Sequence, residues 1–504
     1  MPAVKSQDLP EIFVPEDARW ASRAAARGEI RRLARGLYST NLDEPAEQLV
    51  RRRWADVAAL YFPDAVVVDR SAVLAAPTPD GQLFLDSGPA VARPRPVELP
   101  GLTLRPRSGP GHVDGDMPFI KLWMSSPARL LLDNMRPSRA RSGLPRTLRR
   151  VELEQRLDQI ASVHGDAALD ELRDAARHIA PALGLEDELA QLDDLLGALQ
   201  GTRDAQLATP AAKARRAGLG YDTSRLALFE ALRAELARQE FQVRPEPSDP
   251  ERLFAFFEAY FSNWIEGTEF EVDEAAAIVF DGKVPPQRPA DAHDVQGTFA
   301  TITDSRLRSA VPSDADELEE IVAETHRRVM VGRPEVGPGQ YKQEANRAGM
   351  TRFVHPDLVR GTLREGFSLY ATLRPGMPRA IFATFLVAEV HPFADGNGRV
   401  ARALMNAELT AAGLCRVMIP LPFRDEYLSS LRALSRNDNA RPLWRTIDRA
   451  QRWAWDMTWT GRERVLELME RTNALVDPRE VDDRDVRLLD PPDLDARSAS
   501  APDR

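Results

Sequence analysis

Apolar residues follow a helical period in some parts of this chain and a strand-like one in others. Between residues 251 and 267, Leu253, Phe256, Phe257, Tyr260, Phe261 and Trp264 recur every three or four positions, which is the spacing of one helix face. Gly267 stands where such a helix would stop. The apolar run 380–388 and the helix formers Ala403, Leu404, Met405 and Asn406 predict two buried helices joined by a tight loop. Residues 150–243 are rich in Leu, Ala, Glu and Arg at helical spacing, with a joint near Gly218, Leu219, Gly220 and Tyr221. Strand signals concentrate in 61–106, at 65–68, 82–85 and 102–104, with Pro-rich turns such as 92–96 between them. Residues 340–342 and 346–354 predict a short hairpin turning at Gly349.

The pattern implies a mainly α chain with four parts. Residues 1–160 are expected to form a small α+β domain and residues 161–250 a helical connector. A helical core with one small hairpin flap covers 251–460. In 461–504 a last helix runs into an acidic, Pro- and Ser-rich tail, expected to be disordered from about residue 475. At 504 residues several domains are expected.

Composition narrows the function classes. A formal charge of −10 argues against binding nucleic acid or an anionic membrane over the whole surface, while leaving room for a local basic patch. The single Cys415 excludes an intramolecular disulfide. Residues 1–8 lack an apolar signal core and no apolar run reaches membrane-spanning length. A cytoplasmic protein is expected.

The densest chemistry lies in His391-Pro392-Phe393-Ala394-Asp395-Gly396-Asn397-Gly398-Arg399-Val400-Ala401-Arg402. A neutral imidazole at His391 can take a proton from a hydroxyl near neutral pH. Asp395 offers a hard oxygen ligand suited to magnesium. Gly396, Asn397 and Gly398 let backbone N–H groups approach an anion, and the helix starting near Arg399 adds its positive end. Arg399 and Arg402 lie three apart and share a helix face. Singly, each residue type is more often structural; their order and spacing together point to a nucleoside triphosphate.

The stretch resembles the signature of the Fic family, His-Pro-Phe-x-Asp/Glu-Gly-Asn-Gly-Arg-x-x-Arg, at every fixed position. The resemblance implies transfer of AMP from ATP to a Ser, Thr or Tyr hydroxyl of a target protein, with Mg2+ at Asp395 and His391 as general base. It implies that Gly396, Asn397 and Gly398 cradle the α and β phosphates, and that Arg399 and Arg402 hold the outer ones. Related kinases carry Lys at the place of Gly398, and phosphocholine transferases depart at Gly396; this chain does neither. Upstream, Ser262-x-x-x-Glu266-Gly267 matches the family's inhibitory motif. The match implies that Glu266 pairs with Arg402 and keeps the γ-phosphate out. It also implies that Asn346, Arg347, Ala348, Gly349, Met350 and Thr351 form a flap that docks the target by strand addition. His326 and His355 are read as structural. Two alternatives stay open: a hydrolase removing AMP at the same site, and a DNA-binding regulator using the core as a nucleotide sensor. Dimer-controlled inhibition in the family makes a homodimer compatible with the sequence.

Residues 17–36 contain Arg19, Arg23, Arg27, Arg31, Arg32 and Arg35 against Asp17 and Glu29. They are read as a helix, a break at Gly28 and a second helix leading into a strand-like wing. Residues 17–160 also resemble antitoxin-type regulators of abortive-infection systems, through 31–38, 99–102 and 125–134. That resemblance implies a winged-helix start and DNA contact through residues 17–41.

Overall fold

A computed structural model describes residues 9–139, 143–249, 251–480 and 486–491. The chain divides into two compact units, Met1–Gly218 and Leu219–Arg504. The division falls at the joint expected near Gly218. Helices Arg150–His164, Ala167–Leu183, Glu186–Leu199 and Pro210–Arg216 lie in the first unit, and Thr223–Leu236 lies in the second.

After a short strand, Ile12–Phe13, the first unit has helix Ala18–Ala26, capped by the Asp17 carboxylate, which accepts from Arg19 N at 2.8 Å and Trp20 N at 3.1 Å. The second helix expected after Gly28 does not form. Gly28 takes φ +74° and ends the first helix, and Arg31–Ala34 is a strand paired with Leu37–Ser39 across Gly36. Ile30 and Leu33 are buried while Arg32 stays exposed. That packing overrides the helix-forming tendency of Arg, Leu and Ala. Ile12–Phe13 completes this sheet of three strands.

A six-stranded mixed sheet follows, in the order Val97–Leu99, Leu102–Arg107, Gln82–Asp86, Val66–Val67, Leu122–Met124, Met117–Phe119. Three of these strands match the sequence signals; Val97–Leu99 and the Met117–Phe119/Leu122–Met124 pair extend both edges. Helix Pro127–Met135 carries Arg129, which is fully buried. Its guanidinium meets Asp86 at 2.7 Å, Asp116 at 2.6 Å and Asp133 at 3.3 Å, and donates to the Gly111 carbonyl at 2.7 Å.

Among its described residues the second unit is mainly helical and carries one hairpin. Every residue of helix Leu253–Ile265 is buried, so the expected amphipathic stripe is a helix wrapped on all sides. It packs against Pro289–Thr303 and Asn397–Ala411 in a core rich in Phe. Part of the expected disordered tail is docked here: Leu488 is buried and Leu489 N donates to the Thr472 carbonyl at 3.0 Å. The remainder of the tail, 481–485 and 492–504, lies outside the described residues, as does the 1–8 start. No described helix is long and apolar enough to cross a membrane.

Removing one partner from a buried charge cluster leaves the others uncompensated. Arg129→Ala is therefore expected to destabilise the first unit by about 3–5 kcal/mol, read as faster hydrogen exchange in Pro127–Met135 and a lower denaturant midpoint. Unchanged exchange there would show that the cluster does not hold the unit together.

Candidate functional site

Helix Met377–Val390 ends at His391, which adopts the left-handed region at φ +52°. A non-glycine residue held there is strained and persists only where its surroundings enforce it. Here the imidazole stacks on Phe353, ring centroids 3.7 Å apart and 6° from parallel. Its Nδ1 lies 3.2 Å from the Ala388 carbonyl. A carbonyl only accepts, so Nδ1 carries the proton and Nε2 keeps its lone pair. Burial, with Lys342 nearby, pulls the His391 pKa down to about 4. The ring is neutral at physiological pH, with the Nε2 lone pair available.

The loop after His391 is held by its own side chains. Asn397 accepts from Phe393 N and donates to the Phe393 carbonyl, both at 2.9 Å. What Asn397 offers an anion is therefore its main-chain N–H at the start of helix Asn397–Ala411, where the first N–H groups lack helical partners. Phe393 is fully buried and stacks on His326 at 3.7 Å and 1°. His326 accepts from Gly339 N through Nδ1 at 2.8 Å, so its Nε2–H donates to the Asp395 carbonyl at 3.1 Å. Burial lowers its pKa to about 4. His326 thus braces the loop from beneath. Gly396, at φ +77°, also leaves no room: an added Cβ would fall 2.6 Å from Met330 Sδ.

The two arginines reach opposite partners. Arg402 donates to Glu266 Oε1 at 2.8 Å, to Ser262 Oγ at 3.0 Å and to the Ser262 carbonyl at 2.8 Å. Glu266 is the C-terminal cap of helix Leu253–Ile265, and its carboxylate occupies the space beside Gly398, where a Cβ would lie 2.1 Å from Oε1. Arg399 is also buried; it meets Asp294 at 2.8 Å, Asn263 at 3.4 Å and Asp395 at 3.8 Å. Asp294, fully buried on helix Pro289–Thr303, is shared with Arg333 at 2.8 Å. Sequence reading missed Asp294 and Arg333, since no local signal marks a buried acid inside an ordinary helical pattern.

Asp395 is half-exposed, and its Oδ1 accepts from Gly396 N at 2.7 Å. Among the described residues no three His, Cys, Asp or Glu side chains gather into a protein cage for a metal. One accessible carboxylate beside an anion loop suits Mg2+, which keeps waters and takes phosphate oxygens.

The hairpin expected from sequence is Arg347–Ala348 paired with Thr351–Arg352. It is tied to the His391 loop by Asn346 Nδ2 donating to the Phe393 carbonyl at 3.1 Å and Lys342 N to the Pro392 carbonyl at 2.9 Å. Lys342, buried, donates from Nζ to Asn346 Oδ1 at 2.7 Å, and burial lowers its pKa to about 7. Neither Lys342 nor Phe353 was singled out from the sequence. His355 caps the short turn Pro356–Leu358, away from this chemistry.

A protein-family model described as the Fic/DOC family matches residues 315–409. Protein adenylyltransferase fic-1 of Caenorhabditis elegans is 30% identical over 199 residues, 38% of this chain and 39% of that one. A Fido domain-containing protein of Dictyostelium discoideum is 37% identical over 109 residues, 20% of this chain and 74% of that protein. A solved structure of C. elegans Fic-1 aligns with a TM-score of 0.36 at 21% identity, covering 61% of this chain and 98% of that one. The chain spans about two-fifths of the length of the adenylyltransferase fic-1 that it matches.

Both depressed histidines bear on acid stability. Their folded values near 4 lie below the ordinary 6.5, so the unfolded chain binds these protons more readily. The stability they contribute is full above pH 6.5 and is lost as pH falls toward 4. NMR titration is expected to find His391 neutral down to about pH 4. In Phe353→Ala the ring gains solvent and its midpoint should move toward 6.5. A midpoint near 6.5 before the substitution would refute the desolvated geometry.

Proposed function

This chain belongs to the Fic/DOC family, and from that premise we propose that it transfers AMP from ATP to a side-chain hydroxyl of a protein, under restraint by Glu266. What carries this reading is the convergence, around one loop, of a neutral histidine, a free helix N-terminus and two arginines. The names of the adenylyltransferase relatives support it.

In the proposed reaction His391 Nε2 takes the proton from the acceptor hydroxyl as its oxygen attacks the α-phosphorus. The bond from that phosphorus to the α–β bridging oxygen breaks, and pyrophosphate leaves. N–H groups at Asn397 and Gly398 face the phosphates, with Arg399 and Arg402 behind them on the same helix. Mg2+ held at Asp395 would neutralise charge building on the phosphate oxygens. Asn346 and Lys342 hold the flap against the His391 loop, so that an acceptor strand lies within reach of the base.

Glu266 enters as a competitor. Arg402 cannot serve the Glu266 carboxylate and a γ-phosphate with the same N–H groups, and Oε1 already fills the space beside Gly398. A bias of about 1.4 kcal/mol would lower the competent population tenfold. Glu266→Gly is expected to raise AMP incorporation, on itself or a target, by about tenfold or more. Adding His391→Ala should abolish it. The readouts are intact mass and α-phosphate label in ATP and Mg2+, and a Glu266→Gly variant no faster than wild type would remove the restraint from the mechanism. Release of AMP from a modified protein would instead identify the hydrolytic direction.

A second reading concerns the first unit. Arg19 and Arg23, one turn apart on Ala18–Ala26, are exposed and form no ion pair among the described residues. The same holds for Arg32 and Arg35 in the adjoining hairpin. A helix and wing carrying four unpaired cations suit contact with duplex phosphates. The full chain is expected to retard duplex DNA in a gel, with affinity falling steeply as salt rises; Arg19→Glu with Arg23→Glu should remove the shift. A shift insensitive to salt or to those substitutions would exclude this surface.

A further inference from the structure

We propose that the acceptor segment recognised by the hairpin is acidic: an extended stretch with carboxylates within a few residues of the hydroxyl. The proposal rests on the AMP-transfer reading and adds a substrate class to it.

The hairpin pairs with no third strand among the described residues, so an outer edge is open. Phe353 N donates to the Asn346 carbonyl at 3.2 Å, which puts Arg347 and Arg352 at the non-hydrogen-bonded position between rungs. Their own N–H and C=O groups therefore point outward. On the Thr351–Arg352 side that edge is closed, because Arg225 donates to the Arg352 carbonyl while pairing with Glu389 at 2.7 Å. Arg436 donates to Thr351 Oγ1 at 2.9 Å, fixing the same strand. The free edge is that of Arg347–Ala348.

Directly opposed residues of an antiparallel pair share a face, so two guanidinium groups stand side by side on a two-stranded sheet. Like charges so placed destabilise the hairpin. Both side chains are exposed, and neither forms an ion pair among the described residues, with Glu344 or any other acid. In the same unit Arg333, Arg364 and Arg399 each hold carboxylates at 2.6–2.8 Å. An unmatched pair on a free strand edge is complementary to a strand bearing carboxylates.

Distance along the strand sets where those carboxylates belong. Phe353, next to Arg352, stacks on His391. A hydroxyl presented near Phe353 would thus be one to three residues, at about 3.3 Å each, from positions facing Arg347 and Arg352. Met350 at the tip is 92% exposed and gives the far end of the segment an apolar contact.

The test uses the full chain carrying Glu266→Gly, with and without Arg347→Glu plus Arg352→Glu. The probes are short extended peptides holding one Ser, Thr or Tyr flanked by Asp and Glu, by Asn and Gln, or by Lys. AMP label and, without ATP, fluorescence anisotropy across a salt series are read in parallel. The acidic peptides should be labelled about tenfold faster than the neutral ones and bind in a salt-dependent way. The charge-reversed variant should prefer the Lys peptides. Equal labelling of acidic and neutral peptides, or an acidic preference that survives charge reversal, overturns the proposal and leaves AMP transfer intact. If nothing is labelled in any variant, AMP transfer fails; anisotropy then decides the surface, supported by acidic binding lost on charge reversal and overturned by its absence.

Discussion

Arg402 ties helix Asn397–Ala411 to helix Leu253–Ile265, with Glu266 among its partners. Its guanidinium takes all three contacts from one turn of helix Leu253–Ile265: the Ser262 hydroxyl, the Ser262 carbonyl and the Glu266 carboxylate. That helix is buried along its length, so it cannot slide without disturbing the aromatic core. Deeper along it, Glu258 pairs with Arg416 and accepts from Asn406 at 2.8 Å. Asn406 and Arg402 sit four apart on helix Asn397–Ala411, so the two helices are cross-linked by polar contacts on adjacent turns. Only the end bearing Glu266 is partly open to solvent. In the proposed mechanism, then, release needs a side-chain rotation at Glu266 rather than departure of the helix.

Arg399 obeys a different constraint. Its partner Asp294 is fully buried and also neutralises Arg333, which in turn meets Asp291 at 2.8 Å. Removing a carboxylate from such a chain would strand two buried or half-buried cations. Arg399 is consequently fixed in direction by buried carboxylates, whereas Arg402 is held by the end of a helix that is partly open to solvent. The two arginines have different partners, though they are three residues apart on the same helix. The difference comes from which neighbouring helix each one faces.

His391, the loop after it and the hairpin form one hydrogen-bonded body. Asn346 and Asn397 both bind the Phe393 carbonyl, at 3.1 and 2.9 Å, one from the hairpin side and one from the helix. His326 supports the same turn through the Asp395 carbonyl, and Phe353 covers His391. The strained backbone at His391 is thereby held from several directions. The same packing dries the imidazole and depresses its pKa. Position and protonation state thus share a cause.

Much of this was legible in local spacing. The run from His391 to Arg402 marks a loop between two helices, and the 253–264 stripe announces its helix, because both signals lie within a few turns of backbone. The mainly helical class, the hairpin at 347–352 and the strand signals at 66, 82 and 102 follow from the same short-range periods. What sequence alone misjudged or passed over depended on partners far along the chain. Residues 31–34 became a strand because Leu37–Ser39 offered a ladder, and residues 486–491 docked because Leu488 found the apolar core. Asp294, Lys342 and Phe353 acquire meaning only when folding brings them to Arg399, Asn346 and His391. Periodicity is a property of neighbours in sequence, whereas ion pairing, desolvation and ring stacking depend on neighbours in space; the first could be read from the chain, and the second only from its fold.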